Sequence, residues 1–470
     1  MSLDLIAALR AALGESAVLT DQTDRAPYEQ DWRGLVNNPS VAVILPHTTD
    51  QVAAAVKLCA AQGVSIVPHG GNTGLVAGAV PITGPAQVIL SLARLRSVRE
   101  VDTLSDTITV EAGVTLQNVQ QEAAKAGRFF PVSLGAEGTA QIGGVISTNA
   151  GGLQVLSYGT TRAQVLGLEV VLADGTIWHG LSALRKDNSG YDLKQLFIGA
   201  EGTLGIITAA TLRLYPAIAA RASAFIGVDN VTQAVAIFST LRQAAGAALT
   251  LCEYCTHPAL TLGAAHTPQG RLPFIAPAYL LVEISALAGG GNPQDVLEVV
   301  LLPALDEGRA LDATIAQSER ERLLFLAMRE AISEGELRAG GAVKHDISVP
   351  VLKMPAMVAG VEALVAQKYP AFQPNIYGHV GDGNLHINIR PPRGQSMADI
   401  APQKAAITND IEALAVSMQG SFSAEHGVGQ LRIASMSAYK SATDLALMRT
   451  IKHAFDPQGL LNPGKTIPEA

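Results

Sequence analysis

The residues whose types and spacing most directly suggest chemistry lie in residues 376–389, IYGHVGDGNLHINI, where two histidines flank a glycine-rich turn. Gly381, Asp382, Gly383 and Asn384 between two β-prone runs favour a four-residue hairpin loop, which predicts Val380 opposite Leu385 and His379 directly opposite His386. Strand side chains alternate between faces, so Asn388 joins both imidazoles on one side. Two imidazoles at cross-strand distance are the beginning of a metal site. Downstream, in SAEHGVG (residues 423–429), Glu425 could complete a His-His-Glu set that keeps coordination positions open for a substrate. The adjacent His426 is then a candidate for proton transfer near neutral pH. Any one of these histidines alone is as readily structural, and it is the joint pattern that points to chemistry.

A second kind of signal lies in the first half. Residues 68–81, PHGGNTGLVAGAVP, follow a short apolar run at 65–67 and a helical periodicity over 52–62 with Thr49 and Asp50 as caps. A helix and a strand thus lead into a turn in which Gly70, Gly71 and Gly74 allow positive φ and bring several N–H groups toward one anion. Asn72 and Thr73 add short side chains able to donate to phosphate. No lysine follows and the glycines do not fall as G-x-G-x-x-G, which argues against a P-loop or a Rossmann site. Two further glycine-dense stretches, SLGAEGTAQIGGVISTNAGG (133–152) and FIGAEGTLGII (197–207), would let backbone approach a flat ligand closely. Between and after them, 88–92, 107–110 and 211–215 are predicted strands and 116–126 a helix.

The elements that must position these residues divide by texture. From about residue 218, strand-like runs at 222–228, 249–253 and 279–285 alternate with helices at 231–245 and 295–305, with 288–293 as a connector. That pattern predicts an α+β domain, an antiparallel sheet with helices on one face, beginning after Pro216. The expected division is 1–217, 218–420 and a C-terminal segment, 421–470.

Bulk properties exclude several function classes. A chain of 470 residues with a formal net charge of −8 and no basic run is a poor partner for nucleic acid. Hydrophobic residues make up 48% of it but no run of about eighteen is uninterrupted, so no transmembrane span is expected. The N-terminus reads as an amphipathic helix broken by Asp4, Arg10 and Glu15, without a signal-peptide core, and the expected location is cytoplasmic. Three cysteines, with a single C-x-x-C at Cys252 and Cys255, read as buried small hydrophobes.

The three glycine-rich segments, in this order, resemble the FAD-binding domain of the vanillyl-alcohol oxidase and p-cresol methylhydroxylase superfamily, the FAD-linked oxidases. The resemblance implies that the first loop (Pro68, His69, Gly70, Gly71, Asn72, Thr73, Gly74, Gly78) cradles the FAD pyrophosphate. It assigns the remaining cofactor contacts to Gly135, Gly138, Thr139, Gly143, Gly144, Asn149, Gly152, Glu201, Gly205, Ile206 and, near the C-terminus, Asn462. Asn72 stands where some relatives carry a histidine that attaches the flavin, which implies non-covalent FAD.

The second half, together with KHAFDPQGLLNPGK (452–465), resembles the metal-dependent D-2-hydroxyacid dehydrogenase branch of the same family, nearest to the D-2-hydroxyglutarate dehydrogenases. Motif by motif, His379, His386 and Glu425 correspond to its metal ligands, with Zn2+ expected ahead of Mn2+ or Fe2+. Asn388 and His426 correspond to residues beside the substrate, His426 as the base, and Arg329, Ser333 and Lys344 to its carboxylate-binding groups. Ser333 departs from the threonine of some relatives, which bears on side-chain selectivity. Two cations exceed what a monocarboxylate beside a metal needs, which favours D-2-hydroxyglutarate over D-lactate or glycolate. The resemblance further implies an electron acceptor of the electron-transfer flavoprotein or quinone type, a homodimer, and, as an outlying alternative, the non-redox ether-lipid synthase chemistry of the superfamily.

Overall fold

The computed structural model describes residues 3–469, which form two compact units. The first comprises the chain up to Gly152, then Gly159–Pro216 and the stretch from Glu425 onward; the second comprises Leu153–Tyr158 and Ala217–Ala424.

In the first unit a four-stranded sheet runs in the order Val18–Leu19, Ala42–Ile44, Gln87–Ser91, Ser65–His69, the last three strands parallel. Helix Thr49–Ala61 packs on it, burying Val52, Ala55, Val56 and Cys59. Its cap is Thr48, whose hydroxyl accepts the Gln51 N–H at 3.2 Å; the cap thus sits one residue before the expected Thr49. The N-terminal helix Leu3–Leu13 adds Leu5, Leu9 and Leu13 to the same core, four residues apart as one helical face requires. A five-stranded antiparallel sheet, ordered Val98–Asp102, Thr107–Glu111, Ile206–Arg213, Val165–Val171, Ile177–Gly180, carries a second core with helices Leu116–Lys125 and Ile142–Ser147. The C-terminal segment is sewn into this unit: Asn462 N–H donates to the Ile66 carbonyl (2.8 Å), and Lys452 Nζ to the carbonyls of Thr203 and Leu461.

The second unit is built on a seven-stranded, fully antiparallel sheet. Its strand order is Asp312–Ile315, Ile218–Val228, Ala278–Leu287, Leu249–Thr256, Gln373–His379, Asn384–Arg390, Val343–Ser348. One face is apolar along its length and is covered by helices Val231–Ala245, Pro293–Asp306, Met354–Lys368 and Lys404–Ser417. Helices on this face alone were the expectation, and the other face corrects it. There Phe225, Leu251, Cys255, Tyr279 and Leu281 form a second apolar patch, covered by helices His257–His266, Glu319–Glu330 and Ile332–Arg338. Strands apolar on both sides need cover on both sides, and the additional cover is what brings Arg329 and Ser333 to the sheet.

The hairpin register also differs from the expectation. The loop is residues 380–383, and the paired residues are His379↔Asn384, Tyr377↔His386 and Asn375↔Asn388. Val380 is drawn out of its hairpin pairing by the neighbouring strand, donating its N–H to the Cys252 carbonyl (2.9 Å) with its side chain wholly buried. Asn384 is held as a strand residue by its amide, which donates to Asp346 Oδ1 and the Ile347 carbonyl, both at 2.8 Å. Because the slip moves both strands by one, it preserves the facing, and His379, His386 and Asn388 still share one side.

Candidate functional site

In the second unit the cross-strand register assembles a polar patch. Glu253 pairs with His379, Tyr377 with His386, Asp346 with His386, and Lys344 and Asn375 with Asn388, so all these side chains project from the sheet face opposite the Ile376, Leu385 and Ile387 core. The two imidazoles are diagonal neighbours with ring centroids 5.6 Å apart. Each has a carboxylate at Nδ1. Glu253 Oε1 lies 2.5 Å from His379 Nδ1, and Asp346 Oδ1 lies 3.6 Å from His386 Nδ1. Glu253 Oε2 also accepts from Arg329 Nε at 2.7 Å. Burial works to raise the Glu253 carboxyl, but the charges of His379 and Arg329 and hydrogen bonds from both bring it down to about 2.

Arg329 leans over the Tyr377 ring, 5.1 Å from its centroid, and its Nη2 is buried without a hydrogen-bond partner among the described residues. Ser333 Oγ lies 3.1 Å from the Tyr377 hydroxyl. Burial, with the Glu336 charge second, pushes the Tyr377 phenol well up, so it remains a neutral donor or acceptor. Glu336, fully buried on the Ile332–Arg338 helix, accepts from Asn388 Nδ2 (2.9 and 2.8 Å) and from Asn375 Nδ2, and faces Lys344 Nζ at 3.4 Å. Each of the two expected substrate cations therefore already faces a carboxylate, and their bare count no longer argues for a dicarboxylate. The unit ends near this patch, where the Ala424 N–H donates to the Asp346 carbonyl at 3.1 Å.

Sequence reasoning missed Glu253, Tyr377, Glu336 and Asp346. Glu253 carried a readable signal, a lone carboxylate inside the apolar run LTLCEYC, but nothing in the chain announced its partner 126 residues away. Cys252 and Cys255 are buried free thiols, and burial, the leading cause, pushes Cys255 up to about 12, as the reading of inert small hydrophobes expects.

In the first unit the glycine-rich stretches meet backbone to backbone. A Cβ on Gly71 would sit 1.9 Å from the Thr139 carbonyl oxygen, and one on Gly152 2.0 Å from that of Ser133. Among the described residues, four of the nine non-glycine residues with left-handed φ, Asn72, Asn149, Glu201 and Asn462, belong to the expected cofactor set. Such backbone is costly and gathers where structure serves a site. Asn72 Nδ2 donates to the Gln30 carbonyl at 2.8 Å, and Asn149 Oδ1 accepts the Arg162 N–H at 2.9 Å. Glu201 accepts the N–H groups of Val428 and Gly429, both at 2.8 Å, just beyond His426. Asn462 Nδ2 donates to the carbonyls of Gly78 (3.1 Å) and Glu201 (2.7 Å), and Lys465 Nζ donates to Asn462 Oδ1 (2.6 Å). Burial pulls the Lys465 ammonium down to about 7, opposed by the Glu201 charge. Glu425 Oε1 accepts the Gly152 N–H at 2.8 Å. His69 is held neutral, burial bringing it down to about 4. Gly205 and Ile206 are enclosed by core, Gly205 against Val170 and Phe197 and Ile206 almost wholly buried.

Residues 218–466 match the family model described as FAD linked oxidases, C-terminal domain, and residues 40–180 match that of an FAD binding domain. The chain belongs to the FAD-linked oxidases. It is 37% identical to "D-2-hydroxyglutarate dehydrogenase, mitochondrial" of Bos taurus, over 99% of this chain and 83% of that protein. It is also 37% identical to "D-2-hydroxyglutarate dehydrogenase" of Xanthomonas citri pv. viticola, over 98% and 96% respectively. The fold is that of p-cresol methylhydroxylase (TM-score 0.78, 16% identity, 99% of this chain and 96% of that one) and of alkyldihydroxyacetonephosphate synthase (0.72, 17%, 98% and 86%).

The first unit of this FAD-linked oxidase fits the cofactor its family binds. Beside Gly74, Gly135 and Gly144 the space a Cβ would occupy is open, which makes room for a ligand against bare backbone. Gln141 Oε1 is buried with no donor among the described residues, an acceptor that a flavin N–H can satisfy. Neither Gln141 nor Lys465 was singled out from sequence. Among the described residues no helix is long and apolar enough to cross a membrane.

Proposed function

We propose that this chain is a metal-dependent flavoenzyme that oxidises a D-2-hydroxy acid, D-2-hydroxyglutarate first among them, to the 2-oxo acid by hydride transfer to non-covalently held FAD. His379, His386 and Glu425 are the proposed ligands of one divalent ion. The observation that carries the reading is the carboxylate bound at Nδ1 of His379, where Glu253 Oε1 lies 2.5 Å away, an arrangement that directs Nε2 of a ligating histidine toward a metal and raises its basicity; at His386 the charge of Asp346 lies 3.6 Å from Nδ1. The donor set of two imidazoles and a carboxylate suits Zn2+, with Mn2+ or Fe2+ as alternatives, and leaves positions open. The names of the relatives at 37% identity support the substrate.

A divalent ion, when bound, supplies charge that orients the 2-hydroxy acid and acidifies its hydroxyl, and FAD supplies the two-electron acceptor for the hydride from C2. The chain's own residues do the rest. His426 takes the hydroxyl proton, so that one proton and one hydride leave and the 2-oxo acid remains. Asn388, its amide fixed by Glu336, and Lys344 bind near C1, while Arg329 and Ser333 hold the distal carboxylate. The electrons then pass to an acceptor of the electron-transfer flavoprotein or quinone class.

A second reading, a D-lactate or glycolate dehydrogenase, is favoured by one observation: Arg329 and Lys344 already face Glu253 and Glu336, which leaves less net positive charge for a second substrate carboxylate. Anaerobic bleaching of the bound flavin by each acid separates the two. Faster bleaching by D-2-hydroxyglutarate supports the first reading, faster bleaching by D-lactate or glycolate the second, and none by any hydroxy acid rejects both.

A further inference from the structure

Glu253 is an acidic side chain of the patch whose two oxygens serve two different functional groups, a candidate metal ligand and a candidate substrate cation. It is 1% exposed, with Oε1 on His379 Nδ1 (2.5 Å) and Oε2 on Arg329 Nε (2.7 Å). The first contact follows from the register, because Glu253 and His379 are directly paired residues on neighbouring strands and their side chains must project together. The second follows from the Glu319–Glu330 helix, which lays Arg329 over the same sheet face. An imidazole whose Nδ1 meets a carboxylate carries its proton there and presents a lone pair at Nε2. A guanidinium tied at Nε keeps its Nη donors in a fixed direction. One of them, Arg329 Nη2, is buried with no acceptor among the described residues, which for a charged donor calls for an anionic partner.

We propose that Glu253 is a positioning residue that sets two functions at once: it fixes the Nδ1–H tautomer of His379, so that Nε2 can ligate the ion, and it holds Arg329 so that Nη2 meets a substrate carboxylate. The proposal rests on the metal reading above and adds a coupling: the ligand and the substrate cation cannot be disturbed independently through this residue.

Glu253→Gln tests it without turnover. An amide offers one acceptor and one donor group. If its oxygen faces Arg329 Nε, its NH2 faces His379 Nδ1, which becomes an acceptor and moves the ring proton to Nε2. If the amide is flipped, its NH2 opposes the Arg329 N–H. Either way the Arg329 contact and the Nδ1–H tautomer of His379 cannot both be kept. The double variant Glu253→Gln with Arg329→Met removes the competitor, and the amide oxygen can then accept from His379 Nδ1. Affinity for Zn2+ and Co2+ is measured on FAD-loaded protein without substrate, by competition with a chromophoric chelator. The single variant is expected to bind roughly 10–100-fold more weakly than wild type, the loss typical of an outer partner of a ligand. The double variant is expected to recover most of that affinity while staying poor toward a dicarboxylic substrate, and flavin content should be unchanged in both. A single variant that binds like wild type, or a double variant no better than the single, overturns the proposal. Should the single variant fail to fold because Arg329 is left unpaired, the comparison of double variant with wild type decides: metal affinity near wild type supports the tautomer argument, and its loss overturns it. Wild type that binds no ion removes the metal reading itself, an outcome distinct from equal binding by wild type and variant.

Discussion

Arg329→Lys separates charge from direction at the proposed substrate end of the patch. Lysine keeps a cation beside Glu253, whose Oε2 now accepts from Arg329 Nε at 2.7 Å, but it has no fork and cannot also supply the buried Nη2 donor. If the distal carboxylate of a dicarboxylic D-2-hydroxy acid takes that donor, the variant loses one charge-assisted hydrogen bond, about 1.5–3 kcal/mol. At about 1.4 kcal/mol per factor of ten this is roughly a 10–150-fold fall in kcat/KM for D-2-hydroxyglutarate. D-lactate has no distal carboxylate and should change by less than about threefold. Thermal stability should change little, because Glu253 keeps a counter-charge. Arg329→Met, in contrast, leaves Glu253 with His379 alone and should cost on the order of 3–5 kcal/mol of stability. The assay is kcat/KM for both acids in wild type and Arg329→Lys, with thermal midpoints for all three proteins. Equal losses for the two acids would show that Nη2 does not serve the distal carboxylate, and a wild-type preference for D-lactate would overturn the dicarboxylate reading.

Acid precipitation should release all flavin into the supernatant as FAD, since Asn72 offers no nucleophilic ring nitrogen for attachment; fluorescence retained by the pellet would refute non-covalent binding. His386→Ala should abolish turnover while flavin content stays at the wild-type level, because the imidazole belongs to the second unit and the glycines proposed to hold FAD to the first; turnover by this variant would count against the metal set. Glu253 titrates at about 2 in the fold against 4.5 in the reference state, so the folded protein binds fewer protons between these values. Its contribution, about 3 kcal/mol, is fully present above pH 4.5 and is lost as pH falls toward 2. Urea unfolding should therefore show the stability advantage of wild type over Glu253→Gln shrinking through that window, and a constant difference would contradict the shift.

What the chain made legible and what it hid have physical reasons. The helix at 231–245 and the strands around 222–228 and 279–285 were readable because apolar period and local capping specify them, as at Asn230, which accepts the Thr232 and Gln233 N–H groups. The hairpin could be read as a hairpin, and the facing of His379, His386 and Asn388 with it, since a period of two survives a paired slip. Its exact register was not legible, because it is set by the strand at Cys252 and by Asp346, far away in sequence. The carboxylates behind the histidines were hidden for the same reason: Glu253 and Asp346 reach their partners through sheet order, and strand order across a seven-stranded sheet is a property of the whole unit. Cover on both sheet faces was missed because the helix at 319–330 has a polar sequence and buries only Phe325 and Met328.

The most direct test of the central claim is a single-turnover reduction of the bound flavin, under anaerobic conditions, by the D and L forms of 2-hydroxyglutarate. It is run on protein as isolated, after removal of metal with a chelator, and after return of Zn2+ or Mn2+. The account predicts that the D form alone bleaches the flavin, that chelation abolishes bleaching without releasing FAD, and that the returned ion restores it. Bleaching at an unchanged rate in the metal-stripped protein, or bleaching by neither form in the metal-loaded protein, would contradict it.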